Sequence, residues 1–324
     1  MLQPGRRGRG EDGVLSASLV LYNTPNEQIQ GILRCLKNST LRPHLYIIDN
    51  SPEPRLLQNF QESWITYIAP SGNLGYGGGH NVALRRILES SSFHLILNPD
   101  IEFGPAELDK LVAFAESDRR IGLVMPKVIY PDGSLQFLCK LIPTPVDLFI
   151  RRLRMPFLRR FMQDRMERFE LRFSGYNHVM DVPGLSGCFM LLRTTALRSV
   201  GLFDERFLMY LEDFDLSRRI HARFRTVYFP GAVVVHDHGK YSYRSWRGLW
   251  MHIKSAVKYF NKWGWFYDPA RTKANRITVD RIVLQLQETP FQWPEEVLAN
   301  RARDSQHVAS AMQQRAVSRQ PPGA

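Results

Sequence analysis

The sequence predicts an α/β fold in which a mixed, mainly parallel sheet is flanked by helices. Two observations lead to this prediction. Short apolar runs typical of buried strands alternate with segments of helical periodicity through the first hundred residues. Several of these runs end in polar or turn-forming residues, and such folds bind ligands at the carboxyl ends of their parallel strands. The 324 residues, 44% of them hydrophobic and 23% charged, are enough for a sizeable core.

The first half carries the alternation of strands and helices. Strands are predicted over residues 14–22, 44–49, 64–68 and 93–97. A capping box at 24–27, with Pro25 at the first helical position, predicts a helix whose apolar face consists of Ile29, Ile32, Leu33 and Leu36. A glycine-rich loop at 72–79 is expected to lead into a second helix that reaches Arg86, and a third helix is expected over 105–116.

The second half is expected to continue the sheet. Strands over 121–130 and 135–138 flank a Pro-Asp-Gly-Ser turn. Residues 179–193 are predicted to form a strand pair or one bent strand. A helix is expected to begin near Glu212, and a further strand is expected over 226–235.

The positive charge is concentrated in two segments. The chain has 43 Lys and Arg against 31 Asp and Glu, a net charge of +12. Residues 151–172 hold eight Arg against three acidic residues, and residues 240–276 hold nine basic residues against one. These segments account for the whole excess. Charge alone suggests a nucleic-acid-binding protein, but zinc modules, a recognition-helix signature and basic–aromatic interleaving on strands are absent.

Cysteine usage and hydropathy predict a cytoplasmic protein. The three cysteines, Cys35, Cys139 and Cys188, have neither the spacing of a zinc site nor that of a disulfide framework, which favours a reducing compartment. The basic N-terminus lacks the apolar segment of a signal peptide. No run of about 18 apolar residues predicts a membrane-spanning helix.

Polar motifs follow two of the predicted strands. Asp49 and Asn50 together offer the acceptors and donors that a nucleotide base requires. Asp100, which ends the motif Asn98-Pro99-Asp100, is a candidate ligand of a divalent cation, because a cation held mainly by diphosphate oxygens needs only one or two protein carboxylates. Each motif taken alone also fits an ordinary turn.

A third cluster lies at the start of a predicted helix. Glu212, Asp213 and Asp215 place three carboxylates within four residues, and such crowding raises a pKa and can produce a general base. The alternative is that these acidic residues only favour the positive end of the helix dipole. His236 follows the last strand and is a candidate second ligand for a metal at Asp100, although a lone loop histidine is a poor zinc site.

Three familiar motifs are absent. His80 stands where the dinucleotide-binding fingerprint needs its last glycine. The chain has no P-loop sequence, and the stretch Gly184-Leu185-Ser186-Gly187-Cys188 lacks the final glycine of a nucleophile elbow. A Rossmann cofactor and a serine hydrolase are therefore disfavoured.

Taken together, the motifs resemble the family 2 glycosyltransferases with the GT-A fold, in particular their rhamnosyltransferase-like branch. The resemblance rests on the order and spacing of these strings: Asp49-Asn50-Ser51, residues 73–81, Asn98-Pro99-Asp100, Val182-Pro183-Gly184, residues 201–205, residues 210–215 and His236. It implies a catalytic domain over residues 14–240, with a nucleotide-sugar half at 14–120 and an acceptor half at 121–240 that contains a basic helical insertion at 145–175.

The remaining segments are expected to flank this domain. Residues 241–290 are predicted to form an amphipathic helical extension rich in basic and aromatic residues. Residues 1–13 are expected to be a disordered basic segment, and residues 291–324 a flexible polar tail.

The resemblance also implies roles for individual residues. Nucleotide-sugar contacts fall on Leu21, Tyr22, Asn23, Asp49, Asn50, Asn73, Gly75 and Asn98. Asp213 matches the catalytic base, and the acceptor side or second shell holds Glu212, Asp215 and Gly184. Asp100 and His236 match the ligands of a divalent cation, Mg²⁺ or Mn²⁺.

The implied reaction is inverting transfer of one sugar from a nucleotide-diphosphate donor to a glycan or lipid-linked acceptor. The branch implies rhamnose from dTDP-L-rhamnose, used for a bacterial surface polysaccharide, lipopolysaccharide or the cell wall. Leu216-Ser217-Arg218-Arg219 stands in place of the QxxRW motif of processive synthases, which favours single transfer. A UDP- or GDP-hexose donor, nucleotidyl transfer and a catalytically inactive homologue are alternatives. The Asp213 cluster argues against nucleotidyl transfer, and Asp100 together with Asp213 argues against an inactive homologue. The oligomeric state is left open.

The basic segments have two interpretations. Apolar residues recur at helical spacing at Trp246, Leu249, Trp250, Ile253, Val257 and Phe260. They predict either a helix packed on the core with solvated lysines, or an interfacial helix whose basic and aromatic residues meet an anionic membrane surface. The second interpretation implies a peripheral enzyme on the cytoplasmic face of the inner membrane.

Overall fold

The computed structural model describes residues 15–53, 60, 62–150, 159–237 and 246–288. Within these residues, nine strands form one sheet. The strands are β1 (Leu15–Leu21), β2 (His44–Asp49), β3 (Ile65–Ile68), β4 (Phe93–Leu97), β5 (Ile101–Phe103), β6 (Ile121–Ile129), β7 (Met180–Asp181), β8 (Phe189–Arg193) and β9 (Arg225–His236).

Helices connect and cover these strands. They are α1 (Asn26–Asn38), α2 (Gly75–Ile87), α3 (Glu107–Ser117), α4 (Pro145–Ile150), α5 (Arg159–Phe169), α6 (Thr194–Val200), α7 (Glu212–His221), α8 (Trp246–Trp263) and α9 (Pro269–Gln287). Part of the predicted basic insertion, residues 151–158, lies outside the described residues, as do the predicted terminal segments 1–13 and 291–324.

The sheet has the order β3-β2-β1-β4-β8-β6-β9-β5, and β7 pairs with β9. The neighbours β3–β2, β2–β1, β1–β4 and β6–β9 are parallel, whereas β5, β7 and β8 run antiparallel to their partners. The carboxyl ends of β1, β2, β4, β6 and β9 therefore point the same way, toward what we call the carboxyl edge. The prediction of a mixed, mainly parallel sheet flanked by helices is confirmed.

The strands divide the core into two hydrophobic clusters. Leu95 and Leu97 of β4 belong to the cluster that includes residues of α1 and α3, whereas Ile96 belongs to the cluster that includes residues of α2, α7, α8 and α9. This alternation is expected where both faces of a strand are covered, because successive side chains point to opposite faces. The apolar face predicted for the first helix enters the former cluster through Ile29, Ile32, Leu36 and the partly buried Leu33.

Two helix starts differ from the prediction. The helix α1 begins at Asn26, and no side chain caps it. The predicted capping box does not form, because the Thr24 hydroxyl instead accepts a hydrogen bond from the backbone N–H of Tyr22 at 3.2 Å. The helix α2 already begins at Gly75, so the glycines that follow are helical rather than part of a loop.

Two strand predictions are also revised. The predicted strand at 135–138 is reduced to an isolated bridge between Ile129 and Leu135. Within 179–193, β7 and β8 do form, but they do not pair with each other: β7 pairs with β9, and β8 lies between β4 and β6. Such long-range pairings depend on tertiary structure, which local sequence patterns do not encode.

The helices α8 and α9 are joined to α7 by a buried ion pair. Arg218 of α7 donates two hydrogen bonds to the Asp268 carboxylate, from Nη1 to Oδ2 at 2.7 Å and from Nη2 to Oδ1 at 2.8 Å. Asp268 also caps α9 by accepting from the backbone N–H of Arg271 at 2.9 Å. None of the described helices combines the length and the hydrophobicity needed to cross a bilayer.

Candidate active site

The residues predicted to contact a base lie at the ends of β1 and β2. Asp49 is buried, and its Oδ2 accepts a hydrogen bond from the Tyr67 hydroxyl at 2.7 Å while its Oδ1 accepts from the Ser51 N–H at 3.0 Å. Burial, together with the contact to Asp49, raises the pKa of Tyr67, which therefore remains a donor. Leu21 lies opposite Asp49 in the parallel register, and its carbonyl accepts from the Asn50 N–H at 2.9 Å.

The chain beyond β1 forms an open rim beside Asp49. Tyr22 is exposed, and Asn23 adopts a left-handed conformation with φ of 49°. The N–H of Asn23 donates to the Ser51 hydroxyl at 2.8 Å, which fixes this turn against the end of β2. The predicted residues Leu21, Tyr22, Asn23 and Asp49 are thus brought together.

The first turn of α2 is held by two asparagines. Asn50 donates from Nδ2 to the carbonyl of Gly75 at 3.0 Å, and Asn73 accepts at Oδ1 from the Gly75 N–H at 2.8 Å. Gly75 has a φ of 75°, and a Cβ there would lie 2.3 Å from the Leu208 carbonyl oxygen, so a side chain is excluded. The same carbonyl accepts from the Tyr76 N–H at 2.9 Å. The Asn50 amide, expected to contact a base, is therefore engaged with the backbone of α2.

The two predicted metal ligands meet because β5 pairs with the end of β9. Ile101 lies opposite His236 in this pairing, and the Asp237 N–H donates to the Asp100 carbonyl at 2.9 Å. As a result, Oδ1 of Asp100 lies 3.3 Å from Nε2 of His236. Both side chains are largely buried.

Gln136 orients the His236 ring. Its Oε1 lies 3.0 Å from Nδ1 of His236, and its Nε2 donates to the His236 carbonyl at 2.8 Å. Because an amide oxygen only accepts, Nδ1 carries a proton and Nε2 faces Asp100. Burial acts to lower the pKa of His236, but Cys188 and Asp100 outweigh burial and raise it to about 10.

Tyr76 connects this pair to the carboxylate cluster. Its hydroxyl lies 3.0 Å from Oδ1 of Asn98 and 2.6 Å from the carbonyl of Gly187. The Gly187 N–H in turn donates to Oδ2 of Asp213 at 3.0 Å. Burial raises the pKa of Tyr76 well above its usual range, so the hydroxyl stays protonated. A continuous polar chain therefore runs from the Asn98-Pro99-Asp100 motif to Asp213.

Glu212, which is buried, and Asp213, which is partly buried, form a carboxylate pair at the start of α7. Oδ1 of Asp213 accepts from the Phe214 N–H at 2.8 Å. Burial raises the pKa of Asp213, although the N–H groups of Gly187 and Phe214 and the charge of Lys140 oppose the shift. Burial and the charge of Asp213 raise the pKa of Glu212 well above its usual range, and its Oε2 has no hydrogen-bond partner among the described residues. Such a pair can bind a proton at neutral pH.

Asp215 is not brought into the cleft. Its Oδ2 accepts from Nε of Arg219 at 2.8 Å, and its Oδ1 accepts from Nε1 of Trp263 at 2.8 Å. Nζ of Lys262 also lies 2.6 Å from Oδ1. Of the two places predicted for Asp215, the acceptor side or the second shell, its contacts agree with the second, because its carboxylate joins α7 to α8.

Gly184 is a packing residue next to the cluster. A Cβ at this position would lie 2.8 Å from Cε1 of Phe214 and 2.9 Å from the Lys140 carbonyl oxygen. The Gly184 carbonyl accepts from the Lys140 N–H at 2.8 Å. The absence of a side chain lets the Lys140 segment approach α7 closely, which brings the ammonium charge near Asp213.

The loop that leads into α7 is held in an unfavourable conformation. Tyr210 and Leu211 are consecutive non-glycine residues in the left-handed region, with φ of 72° and 66°. Contacts from α8 hold this loop: the Tyr210 ring lies 5.3 Å from the His252 ring, and the Ser255 hydroxyl donates to the carbonyl of residue 209 at 2.7 Å. The position of the carboxylate pair therefore depends on α8.

Sequence reasoning missed four residues of the site: Tyr76, Gln136, Lys140 and Cys188. Tyr76 lay inside the glycine-rich string, where its spacing of four from His80 was the available signal; the two rings are 4.5 Å apart. Gln136 and Lys140 carried no local signal, because they reach the site only through the path of the chain after β6.

The chain is similar to named glycosyltransferases over most of its length. No protein-family model matches the chain. An N-acetylglucosaminyl-diphospho-decaprenol L-rhamnosyltransferase of Mycobacterium tuberculosis is 29% identical, over 69% of this chain and 76% of its own length. The rhamnosyltransferase WbbL of Escherichia coli is 25% identical, over 74% of this chain and 90% of its own length.

A solved structure has the same fold. The mannosyltransferase PcManGT of Pyrobaculum calidifontis, in complex with GDP-Man and Mn²⁺, superposes with a TM-score of 0.53 at 15% identity, over 94% of this chain and 84% of that one. The expected GT-A fold and the expectation of a transferase are confirmed. The chain is thus similar to named rhamnosyltransferases over about seven tenths of its length, and it shares the fold of a nucleotide-sugar-dependent mannosyltransferase.

Proposed function

We propose that the chain is an inverting, metal-dependent transferase that moves rhamnose from dTDP-L-rhamnose to a glycan or lipid-linked acceptor. The polar chain from Asn98 through Tyr76 and Gly187 to Asp213 carries the proposal, because it sets a cation-binding motif and a proton acceptor at one edge of the sheet. The relatives support the choice of sugar, since both are named rhamnosyltransferases. We assign this transfer to the synthesis of a bacterial surface polysaccharide, lipopolysaccharide or the cell wall, and the diphospho-decaprenol in the name of the mycobacterial relative supports a lipid-linked glycan acceptor.

The residues at the carboxyl edge fit the donor. We assign the base and its sugar to Asp49 and the open rim at Tyr22 and Asn23, which follow the ends of β1 and β2. We assign the diphosphate to the region of Asn73, Gly75 and Asn98, which includes the first turn of α2. The positive end of a helix dipole favours an anion at such a place.

The residues around Asp100 fit a divalent cation. The buried Oδ1 of Asp100 accepts no hydrogen bond beyond its contact with His236 in the described chain, and Gln136 directs Nε2 of His236 toward it. No group of three His, Cys, Asp or Glu in the described ranges could hold a metal by itself, so donor oxygens would complete the ligand set. Bound Mg²⁺ or Mn²⁺ would stabilise the charge of the leaving diphosphate. The Mn²⁺ in the mannosyltransferase complex supports this assignment.

Asp213 receives the proton of the acceptor. The acceptor oxygen forms a bond to the anomeric carbon of the donor, the bond from that carbon to the diphosphate breaks, and the hydroxyl proton passes to Asp213. The raised pKa of Asp213 makes it a stronger base, and the N–H groups of Gly187 and Phe214 fix its orientation. One displacement on one face of the sugar inverts the anomeric configuration.

We place the reaction in the cytoplasm, at the inner membrane where its acceptor is lipid-linked. We infer a reducing compartment from the spacing of Cys35, Cys139 and Cys188, which is not that of a disulfide framework. The decaprenol in the name of the mycobacterial relative supports a lipid-linked acceptor.

A donor panel tests the proposal. The purified chain is incubated with dTDP-L-rhamnose, UDP-glucose or GDP-mannose, with Mg²⁺, Mn²⁺ or EDTA, and the released nucleoside diphosphate is measured. We expect the fastest release from dTDP-L-rhamnose, and EDTA should abolish it. Faster release from a hexose donor would show that this hexose, and not rhamnose, is the sugar transferred. Unchanged release in EDTA would contradict metal dependence.

Two variants separate the roles of the carboxylates. Asp213→Asn should lower sugar transfer by at least about a hundredfold while donor binding persists, since only the proton acceptor is lost. Asp100→Ala should raise the cation concentration needed for half-maximal activity. The matched control is Glu89→Gln, a substitution at an exposed carboxylate on the surface. Near-normal transfer by Asp213→Asn would contradict the assignment of Asp213 as the catalytic base.

A further inference from the structure

The exposed side of α8 carries a row of large apolar residues. Trp246, Trp250, Ile253 and Val257 follow one another at intervals of four, three and four, which places them on one side of the helix. Trp246 is 79% exposed and Trp250 is 60% exposed. We call these four residues the α8 stripe. Of the two interpretations of this apolar pattern, packing on the core applies to Phe260, which is buried as are Ser255 and Tyr259, but not to the α8 stripe, which is exposed.

The apolar surface continues past the end of α8. Phe266 and Tyr267, in the turn before α9, are 86% and 85% exposed, and Trp265 is also exposed. Exposed tryptophans and phenylalanines in a row are unusual on a monomeric protein and mark an interaction surface. Trp and Tyr, which have an apolar body and a polar tip, favour the boundary between lipid and water.

Basic residues border the stripe. Lys254 and Lys258 are exposed, and each lies one position after a stripe residue. The whole chain carries a net charge of +12, with an excess in residues 240–276. Two copies of this chain meeting through the stripe would bring these lysines together, which is unfavourable, whereas anionic lipid headgroups attract them. The charge therefore favours a lipid surface over a second copy.

The stripe also lies close to the candidate active site. Ser255 of α8 donates to the carbonyl of Met209, and the carbonyl of Leu208 accepts from the Tyr76 N–H. Leu208 and Met209 are themselves exposed. A lipid surface in contact with α8 would therefore also lie next to the loop at Leu208 and Met209, which joins α2 and α8 and leads to the carboxylate pair.

We propose that the α8 stripe, with the aromatic turn after it and the bordering lysines, docks the enzyme on an anionic lipid bilayer. The apolar side chains enter the headgroup region, and the lysines pair with anionic headgroups. Docking in this orientation would present the cleft to a lipid-linked acceptor, a consequence that rests on the proposed function. The lipid contact itself does not.

Sedimentation with vesicles tests the docking surface. The full chain is mixed with phosphatidylcholine vesicles, alone or with about one third phosphatidylglycerol, at low and high salt. We expect binding to the anionic vesicles only, weakened by salt. The double variant Trp250→Ser/Ile253→Ser should bind at least about tenfold more weakly, because it removes the apolar anchor. Leu284→Ser, an exposed apolar change on α9, is the matched control and should bind normally.

Each contrary outcome overturns the proposal. No binding by the unaltered chain, or equal binding by the double variant, would reject the stripe as a lipid surface. A dimer in solution that the double variant dissociates would assign the stripe to a second copy. A large fall in melting temperature for the double variant would assign it to another segment of the same chain. Transfer to a water-soluble acceptor, measured in parallel, tests the proposed function separately and should be unchanged in the double variant.

Discussion

At the scale of single residues, the hydroxyl of Tyr76 connects the candidate metal-binding motif with the proposed catalytic base. It contacts Asn98 and the carbonyl of Gly187, whose N–H in turn holds Asp213. Buried hydrogen bonds of this kind fix the geometry of a site more than they stabilise the fold, because both ends are side chains or loops rather than regular structure.

Tyr76→Phe tests this link. The variant keeps the ring but loses the hydroxyl, whose single proton serves one of the two acceptor oxygens at a time, at a cost of about 1–2 kcal/mol in this partly buried site. We expect kcat to fall by about tenfold or more while the KM for the donor changes little, measured by steady-state transfer kinetics. The matched control is Tyr67→Phe, which removes the hydroxyl contact to Asp49 and should instead raise the donor KM. Equal effects on kcat and KM in both variants would contradict the assignment.

At the scale of elements, α7 owes its position to α8. The Asp215 carboxylate of α7 is fully buried and contacts Lys262 and Trp263 of α8, and Lys262 also lies 2.8 Å from Oδ2 of Asp204. Breaking a buried ion pair on one side leaves an uncompensated charge, which is more destabilising than the net value of the pair. The C-terminal helices are therefore part of the framework of the active site.

Lys262→Met tests this support. The variant retains the apolar stem but removes the ammonium group, and we expect the free energy of unfolding to fall by about 1–3 kcal/mol. Because Asp215 lies two residues from Asp213, kcat should fall as well. Urea unfolding and transfer kinetics measure the two effects. Lys273→Met, at an exposed lysine on α9, is the matched control and should leave both unchanged.

At the scale of the whole molecule, a buried polar chain joins β1, β4 and α2. The Ser16 hydroxyl lies 2.8 Å from Nδ1 of His94, Nε2 of His94 lies 2.8 Å from the Ser18 hydroxyl, and that hydroxyl lies 2.6 Å from Nδ1 of His80. Burial lowers the pKa of His94 to about 3 and, with the charge of His94, lowers the pKa of His80 well below its usual range. Both rings are therefore neutral in the folded protein at neutral pH.

This chain predicts a loss of stability in mild acid. In the unfolded chain a histidine has a pKa of 6.5, so between that value and about 3 the unfolded state binds the extra proton and becomes favoured as the pH falls. His94 should contribute up to about 1.4 kcal/mol of lost stability per pH unit in this window. Urea unfolding at several pH values measures the slope. His94→Gln should reduce it, and an unchanged slope in His94→Gln would contradict this origin.

The fold followed from the sequence where the signal was local. The strands β2 and β4 have the predicted bounds, because buried strands form continuous apolar runs between turns. The carboxylate cluster also lies where it was predicted, in the first turn of α7. Local patterns did not indicate the pairing of β5 with β9, which brings Asp100 to His236. They also did not indicate the orientation of α8, because helical periodicity specifies an apolar face but not what that face contacts.

The loop at Leu208 and Met209 determines which segments can be exchanged between related enzymes. The Leu208 carbonyl accepts a hydrogen bond from the first turn of α2, and the Met209 carbonyl accepts one from α8. One short loop is therefore hydrogen-bonded to two helices. A chimera that takes α8 from another transferase, while keeping this loop, would mismatch the contacts that hold Tyr210 and Leu211 in their left-handed conformations. The transferable module is the loop together with the helix, and grafts that respect this boundary should retain activity where helix-only grafts lose it.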